Sequence, residues 1–157
     1  IPRLIDLGVN PKILVSALSL SIAQRLVRKL CQFCKKEKTP SKEEEETIKS
    51  VLDSIKQEGK SLSNYNINPD APFKLFASVG CEKCHMTGFK GRIGIFEAIE
   101  TDEEIEKIIP ENPNEREIKK VASLQGILSM RQDGMVKIIN GITSLEEVQS
   151  VVDLNEE

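Results

Sequence analysis

Four cysteines, arranged as two identical pairs, constrain this sequence more than any other feature. The pairs are Cys31-Gln-Phe-Cys34 and Cys81-Glu-Lys-Cys84, and residues 35–80 separate them. A two-residue spacer lets both sulfurs of a pair turn toward one ion, and four thiolates match the tetrahedral coordination of structural Zn²⁺. We therefore predict that Cys31, Cys34, Cys81 and Cys84 bind zinc. The gap between the pairs exceeds that of a compact zinc ribbon, so a further element must be inserted there.

Other interpretations of the cysteines are open at the level of sequence. Disulfides or a redox pair use the same spacing, although an intracellular chain keeps structural thiols reduced. The run Cys81 to His85 matches a c-type haem attachment motif, with Met86, Met130 or Met135 as an axial ligand, but the first pair would then have no role. Residues 81–88 also resemble a J-domain cysteine repeat, and iron can replace zinc at a four-cysteine site. We expect His85 on the surface or beside the site rather than among the ligands.

Lysines and arginines surround the first cysteine pair. They are Arg25, Arg28, Lys29, Lys35, Lys36 and Lys38. Cations favour the thiolate form and offset the formal charge of −2 that zinc keeps when four thiolates bind it. A lipid or phosphate patch is the alternative interpretation of this cluster.

Composition limits the classes of protein that the chain can belong to. Its 157 residues suit one domain, or one domain with an appendage, and 39% hydrophobic residues support a modest core. With a net charge of −3, no Trp and one Tyr, the chain has neither an overall attraction for nucleic acid nor a base-stacking platform, so we expect no nucleic-acid partner. The apolar stretch at residues 13–23 is too short to cross a bilayer. Because the chain begins with Ile1 rather than Met, we expect it to be part of a longer cytosolic chain.

Helix caps and apolar periodicity predict an α+β fold. Residues 2–7 are typical of a helix end closed by Gly8, and Asn10 with Pro11 predicts a largely buried helix to about residue 22. Ser41 and Glu44 form a capping box for an amphipathic helix at residues 41–58. We expect strands at residues 25–30, 73–79 and 92–99, an exposed loop at 60–72, and a tight turn in the glycine-rich segment 88–94.

The final third predicts a small bundle of short helices. Each helix begins at a capping pair: Thr101 with Glu104, Asn114 with Glu117, Ser129 with Gln132, and Thr143 with Glu146. Each helix has one apolar side, which is typical of helices that share a core.

No complete active site is visible in the sequence. The phosphate-binding pattern G-x-x-x-x-G-K-[ST] is absent, and a single histidine without a Ser or Asp at motif spacing predicts no triad. Zinc bound by four cysteines has no open coordination position for catalysis. From these residues alone, a stand-alone zinc-ribbon interaction module is the simplest interpretation.

Longer motifs point to a family. Residues 22–31 (IAQRLVRKLC), 80–97 (GCEKCHMTGFKGRIGIFE), 131–134 (RQDG) and 141–148 (GITSLEEV) closely resemble the C-terminal half of the secretion ATPases. These are the type II secretion E protein and the type IV pilus assembly ATPase. The resemblance covers nearly the whole chain and fails mainly at residues 35–75.

The resemblance implies a hexameric motor that hydrolyses ATP and drives a membrane-embedded platform protein to extrude a pilus or pseudopilus. ATP and Mg²⁺ would bind upstream of Ile1, so this piece alone should be inactive. We expect residues 1–30 to end a P-loop nucleotide-binding domain, 31–99 to form a four-cysteine zinc subdomain with helix 41–58 inserted, and 100–157 to form a C-terminal helical subdomain. The implied location is cytoplasmic, peripheral at the inner membrane through partners.

Two hypotheses assign roles to cationic residues within this motor. Arg92 leaves the second cysteine pair on a glycine-rich segment, which suits a guanidinium held against a neighbouring subunit's phosphates or carboxylates. An intramolecular ion pair is the alternative for Arg92, and Arg25 and Arg28 are weaker candidates for the same task. A second hypothesis is that the zinc subdomain docks on the platform protein through four residues: Arg28, Lys29, Lys35 and Lys36.

Overall fold

The structure is a computed structural model that describes residues 1–65, 67, 73–111 and 113–154. Seven α-helices lie in this part of the chain: α1 (Pro2–Asp6), α2 (Pro11–Ala17), α3 (Lys42–Gln57), α4 (Glu103–Ile108), α5 (Glu115–Ala122), α6 (Met130–Ile139) and α7 (Leu145–Gln149). Four strands accompany them: β1 (Leu20–Leu30), β2 (Lys36–Lys38), β3 (Leu75–Ala77) and β4 (Phe89–Glu100). The α+β prediction is confirmed. No described helix is both long and apolar enough to span a bilayer.

A long antiparallel pair, β1 with β4, organises the molecule. Its register runs from Leu20 opposite Glu100 to Leu30 opposite Phe89, with a bulge between Arg28 and Leu30. A second, short antiparallel pair joins β2 to β3. Because both pairings link residues before the inserted helix to residues after it, they close the chain around α3.

A capping box starts helix α3, and an apolar face packs it into the core. The Ser41 hydroxyl accepts the Glu44 N–H, and the Glu44 carboxylate accepts the Ser41 N–H, as the capping box predicts. Its buried face consists of Ile48, Val51, Leu52 and Ile55. This face packs into the main core with Val27 of β1, Ile95 of β4, and residues of α6 and α7. The predicted inserted helix is confirmed.

A second, smaller core joins the N-terminal helices to residues 99–121. It contains Leu14 of α2, Ile105 of α4, Ile109, and Ile118 of α5, with α1 residues packed at its edge. Helices α6 and α7 contribute to the main core instead. The final helices therefore divide between two cores, which differs from the single bundle that the apolar periodicity predicts.

Several predicted boundaries are wrong. Helix α2 ends at Ala17 and has one buried residue, Leu14, because residues from Leu20 onward pair with β4. The glycine-rich segment is a strand from Phe89, since Gly91 and Gly94 lie within β4. A strand at Lys36–Lys38 was not predicted.

Two helix starts lie one residue later than predicted, and one predicted loop is partly buried. Asp102 caps α4 and Ser144 caps α7, in place of Thr101 and Thr143. Within the predicted loop 60–72, Lys60, Leu62 and Ile67 are buried, so this segment packs against the main core. Residues 66 and 68–72 of that prediction lie outside the described residues.

Candidate metal centre

Strand pairing brings the two cysteine pairs together. Strand β1 ends at Leu30, immediately before Cys31, and β4 begins at Phe89, shortly after Cys84. Leu30 lies opposite Phe89, and the Cys31 N–H donates to the Gly88 carbonyl oxygen at 2.9 Å. The pairing of β1 with β4 therefore places the two cysteine pairs, which are 50 residues apart in sequence, at the same end of the sheet. We call residues 31–34 the first hook and residues 81–84 the second hook.

Each hook is a tight turn held by its own backbone. The Cys34 N–H donates to the Cys31 carbonyl at 3.2 Å, and the Cys84 N–H donates to the Cys81 carbonyl at 3.1 Å. After Cys84 the chain turns sharply, since His85 and Met86 adopt left-handed conformations with φ of 51° and 60°. These turns direct both sulfurs of each pair toward the other pair.

Glycine is required on both sides of the second hook. Gly80 has φ of +111°, and a Cβ there would lie 2.7 Å from the Met86 carbonyl oxygen. Gly88 has φ of +76°, and a Cβ there would lie 2.5 Å from the Ser78 Cβ. Any larger residue would strain the backbone and push the hook away from its neighbour.

The four sulfurs have the spacing of a tetrahedral metal site. The Sγ–Sγ distances are 3.9 Å for Cys31 to Cys81, 3.8 Å for Cys34 to Cys84, and 3.7 Å for Cys81 to Cys84. All four Sγ atoms lie within 4.8 Å of one another. A tetrahedron with metal–sulfur bonds of about 2.3 Å has edges of about 3.8 Å, whereas a disulfide bond measures about 2.05 Å. The residues present therefore fit a four-thiolate metal site, and all four cysteines are free thiols.

Burial and hydrogen bonding give Cys84 and Cys34 very different pKa values. Burial disfavours the Cys84 thiolate, but its Sγ accepts the N–H groups of Cys81 and Gly88 at 3.2 Å each, and the net effect lowers the pKa of Cys84 to about 6. For Cys34, burial raises the pKa; a backbone hydrogen bond at Gly80 lowers it, but the neighbouring thiols raise it further, and the result is about 11. Without a cation the cluster therefore does not hold four thiolates at neutral pH.

The geometry bears on the competing interpretations of the cysteines. Haem attached to the second hook would need Cys81 and Cys84 to bond to the porphyrin, whereas both sulfurs face the first hook. His85 is exposed and lies outside the cysteine cluster, as expected. Among the described residues, the four cysteines are the one group of potential ligands close enough to share an ion.

Half of the cations predicted to balance the thiolates have other partners. Arg28 forms an ion pair with Glu147 at the start of α7, and its guanidinium lies 4.1 Å from the centre of the Phe89 ring. The Lys35 ammonium donates to the Gly141 carbonyl at 2.7 Å, and Lys38 pairs with Glu44 at 2.7 Å. Arg28 and Lys35 therefore connect the hooks to the C-terminal helices.

Arg92 lies on β4 directly opposite Arg28, and its surroundings differ from those of Arg28. The Arg92 side chain is exposed and has no hydrogen bond, ion pair or ring contact with any described residue. The intramolecular ion pair considered for Arg92 is therefore not formed within the described part of the chain. Glu147 forms its ion pair with Arg28 and not with Arg92.

Residues 141–147 hold β1 in place, and sequence reasoning missed this role. The Thr143 hydroxyl donates to the Arg28 carbonyl at 2.8 Å, the Leu30 N–H donates to the Ile142 carbonyl at 2.9 Å, and the Glu147 carboxylate accepts the Arg28 N–H at 3.1 Å. The sequence does contain one indication of this role. Thr143 and Ser144 are adjacent and either could cap α7, so one of the two hydroxyl groups is left for another partner.

Comparison with known proteins confirms the resemblance drawn from the motifs. A family model described as type II/IV secretion system protein matches residues 1–150. The chain is 40% identical over 154 residues to the type IV pilus assembly ATPase TfpB of Acinetobacter baylyi, covering 97% of this chain and 23% of that protein. It is 38% identical to the type IV pilus assembly ATPase PilB of Pseudomonas aeruginosa, covering 95% of this chain and 24% of the relative.

The similarity extends to secretion proteins. The chain is 34% identical over 151 residues to the type II secretion system protein E of Pseudomonas aeruginosa, covering 96% of this chain and 26% of that protein. The chain thus spans about a quarter of the length of these relatives. Since the family model covers 150 of its 157 residues, the chain belongs to the type II/IV secretion system protein family.

Proposed function

We propose that this chain is the C-terminal, metal-braced part of a hexameric motor ATPase that powers the extrusion of a pilus or pseudopilus. The observation that carries the proposal is the family match along residues 1–150, in a chain whose four cysteine sulfurs lie within 4.8 Å of one another. Cys31, Cys34, Cys81 and Cys84 would hold a structural zinc ion. A site with four thiolates has no open position for substrate, so the ion would cross-link the hooks rather than take part in hydrolysis.

ATP and Mg²⁺ would bind to another part of the motor. The 157 residues contain no G-x-x-x-x-G-K-[ST] sequence that could hold the nucleotide phosphates. The other subunits of a homohexamer and an inner-membrane platform protein are the proposed partners, with the motor in the cytoplasm at that membrane. The sequence of the natural polypeptide that contains these residues distinguishes the motor from a stand-alone zinc ribbon. The motor requires a phosphate-binding loop in that same polypeptide, whereas a zinc ribbon does not.

Elemental analysis of the purified chain, together with its absorption spectrum, tests the metal assignment. We expect one zinc ion per chain and no absorption in the visible range. Iron bound by thiolates, or covalent haem, would colour the protein and would contradict the assignment to zinc. A chain that carries no metal and fails to take up one equivalent of Zn²⁺ would contradict the metal site itself.

Arg92 is the proposed contact from this chain to a neighbouring subunit's nucleotide. Its side chain is exposed and has no partner among the described residues, and it lies on a strand whose end is fixed by the hooks. A guanidinium held in this way can stabilise the charge that develops on transferring phosphates, and such an arginine contributes about 10³-fold or more to the rate. Arg28 is less suitable because Glu147 neutralises it.

The test for Arg92 uses the intact natural motor. Arg92→Ala should lower ATPase activity by about 10³-fold or more, and Arg116→Ala, an exposed arginine on α5, is the matched control. If Arg92 acts between subunits, Arg92→Ala subunits mixed with subunits that carry a disabled phosphate-binding loop should recover part of the activity. An Arg92→Ala activity within about twofold of the unmodified motor would reject this role.

A further inference from the structure

The four cysteines of the cluster differ in their access to solvent. Cys34 and Cys81 are half-buried, whereas Cys31 and Cys84 are buried. An oxidant in solution therefore has easier access to Cys34 and Cys81. Cysteines that sense oxidants share this arrangement, in which an accessible sulfur lies beside a second sulfur that can attack it once it is oxidised. The cluster thus has the geometry that reversible oxidation requires.

The backbone of the second hook can accommodate a disulfide bond. The Cys81 and Cys84 sulfurs are 3.7 Å apart, closer than the sulfur pairs at 3.8 and 3.9 Å that face each other between the hooks. The Cys84 N–H donates to the Cys81 carbonyl oxygen at 3.1 Å, and a turn closed in this way keeps its end Cα atoms within about 7 Å. Because disulfides span Cα separations of about 4.4–6.8 Å, side-chain rotation can bring these two sulfurs to bonding distance.

Hydrogen bonds hold the Cys84 sulfur next to Cys81. Its Sγ accepts the N–H groups of Cys81 and Gly88, at 3.2 Å each. A buried sulfur fixed beside a more accessible one suits the role of resolving thiol, which attacks the oxidised sulfur of its neighbour. The second hook therefore contains both members of a reactive pair.

We propose that hydroperoxides oxidise the second hook to a Cys81–Cys84 disulfide, which expels the metal ion and makes the four-cysteine cluster a redox switch. The Cys81 sulfur attacks a peroxide oxygen, the O–O bond breaks, and a sulfenic acid forms with loss of hydroxide. The Cys84 sulfur then attacks the Cys81 sulfur, so that the S–S bond forms, the S–O bond breaks and a second hydroxide leaves. Two thiolates lose two electrons in total, hydrogen peroxide gains them, and two protons from solvent convert the hydroxides to water.

The metal ion leaves because a disulfide has no thiolate to donate. Cys31 and Cys34 would remain as ligands, which is half the set that a structural zinc ion requires. The end of the β1–β4 pair would then depend on backbone hydrogen bonds such as that from the Cys31 N–H to the Gly88 carbonyl. Arg92 lies on β4 close to this end, so oxidation would loosen the strand that carries it. Disulfides formed in a reducing compartment are transient, so cellular thiols would reset the switch.

Treating the zinc-loaded chain with one equivalent of hydrogen peroxide tests this inference, which rests on the proposed function for its metal ion. We expect release of one equivalent of zinc, measured with a chromogenic indicator. The Tm should fall to that of the chelator-treated chain, and dithiothreitol with added zinc should restore both. A tryptic digest identifies the disulfide, because cleavage after Lys83 separates Cys81, in peptide 75–83, from Cys84, in peptide 84–90. We expect these two peptides to be joined.

The digest and a matched variant separate oxidation of the second hook from other routes. Peptide 30–35 contains both cysteines of the first hook and should stay reduced. A disulfide within it, or one that joins it to a second-hook peptide, would overturn the inference. Met86→Leu removes an oxidisable side chain that is 69% exposed beside the second hook, and it should leave the rate of zinc release unchanged. A markedly slower release would show that methionine oxidation expels the ion, and would also overturn it.

The metal content before oxidation distinguishes failure of this inference from failure of the proposed function. A chain that binds no zinc would overturn both. A zinc-loaded chain that keeps its zinc and four reduced cysteines in peroxide would overturn the switch alone and leave the ion with a purely structural role.

Discussion

Removing the metal should destabilise the folded chain by an amount set by the loop between the hooks. The metal can bridge both hooks of an unfolded chain only after closing a loop of about 48 residues, from Cys34 to Cys81. The fold closes that loop beforehand through the β1–β4 and β2–β3 pairings. Loop-closure entropy for this length is about 4 kcal/mol at 25 °C, equivalent to about 10³-fold tighter binding by the folded chain.

This difference in affinity sets the limit of stabilisation by the metal. Because a ligand stabilises the state that binds it more tightly, saturating zinc should raise the unfolding free energy by about 4 kcal/mol and then reach a plateau. For 157 residues, an entropy of unfolding of about 2.1 cal/mol/K per residue converts this to about 12 °C in Tm. Thermal unfolding followed by circular dichroism, with the metal bound and after removal by a chelator, measures the shift.

A variant without the bridge provides the control. Cys34→Ser with Cys81→Ser removes one ligand from each hook at half-buried positions, whereas Cys31 and Cys84 are buried and their replacement would also bury a hydroxyl group. The chelator should lower the Tm of the natural chain to near that of the double variant, and should leave the variant unchanged. A chelator-induced shift of less than about 3 °C in a chain shown to lose one metal ion would refute the loop argument.

Two further predictions concern the contacts that hold the hooks. The hydrogen bonds from Arg28 lower the pKa of Glu147, so this pair stabilises the fold above the ordinary carboxyl pKa of about 4.3 and loses its effect as the pH falls through the lower folded value. Glu147→Gln should cost about 1 kcal/mol in urea unfolding at pH 7, a modest value because Arg28 is largely in solvent, and a gap that persists at pH 3 would contradict this. Gly80→Ala should weaken zinc affinity about tenfold or more by displacing the Met86 backbone, whereas Gly91→Ala, with positive φ but open space, should change stability and leave zinc affinity near its original value.

The sequence predicted the structure correctly where the deciding interaction joins residues that are close together in the chain. The capping boxes at Ser41, Asn114 and Ser129 are all formed, because each pairs a side chain with a backbone N–H three residues away. The apolar residues of α3 recur with the period of an α-helix, so this helix could likewise be predicted without knowing what packs against it. The proximity of the hooks was predictable because cysteine spacing encodes it chemically.

Predictions failed where two neighbouring residues could each take the same role and a contact with a residue distant in sequence determines which one does. Thr143 and Ser144 can each cap α7, and Ser144 does so because the Thr143 hydroxyl bonds to the Arg28 carbonyl in β1. Asp102 caps α4 and also accepts a hydrogen bond from Gln125, a residue that is distant in sequence. The residues after Ala17 fit a helix by periodicity, yet those from Leu20 onward pair with β4, and the partner of Leu20 lies 80 residues away.

The segment between the hooks is part of the frame that positions the hooks. Its helix α3 buries four apolar residues against Val27 and Ile95, which stand on the same two strands that carry the hooks. The end of this segment is tied to α6 as well, because buried Lys60 pairs with Glu58 and donates to the Gln132 side chain at 2.9 Å. A compact ribbon with a short spacer would leave β1 and β4 without this core. The long gap between the cysteine pairs therefore contains the elements that hold the two hooks together, and we expect the inserted helix, and not the ion alone, to determine how the hooks are oriented.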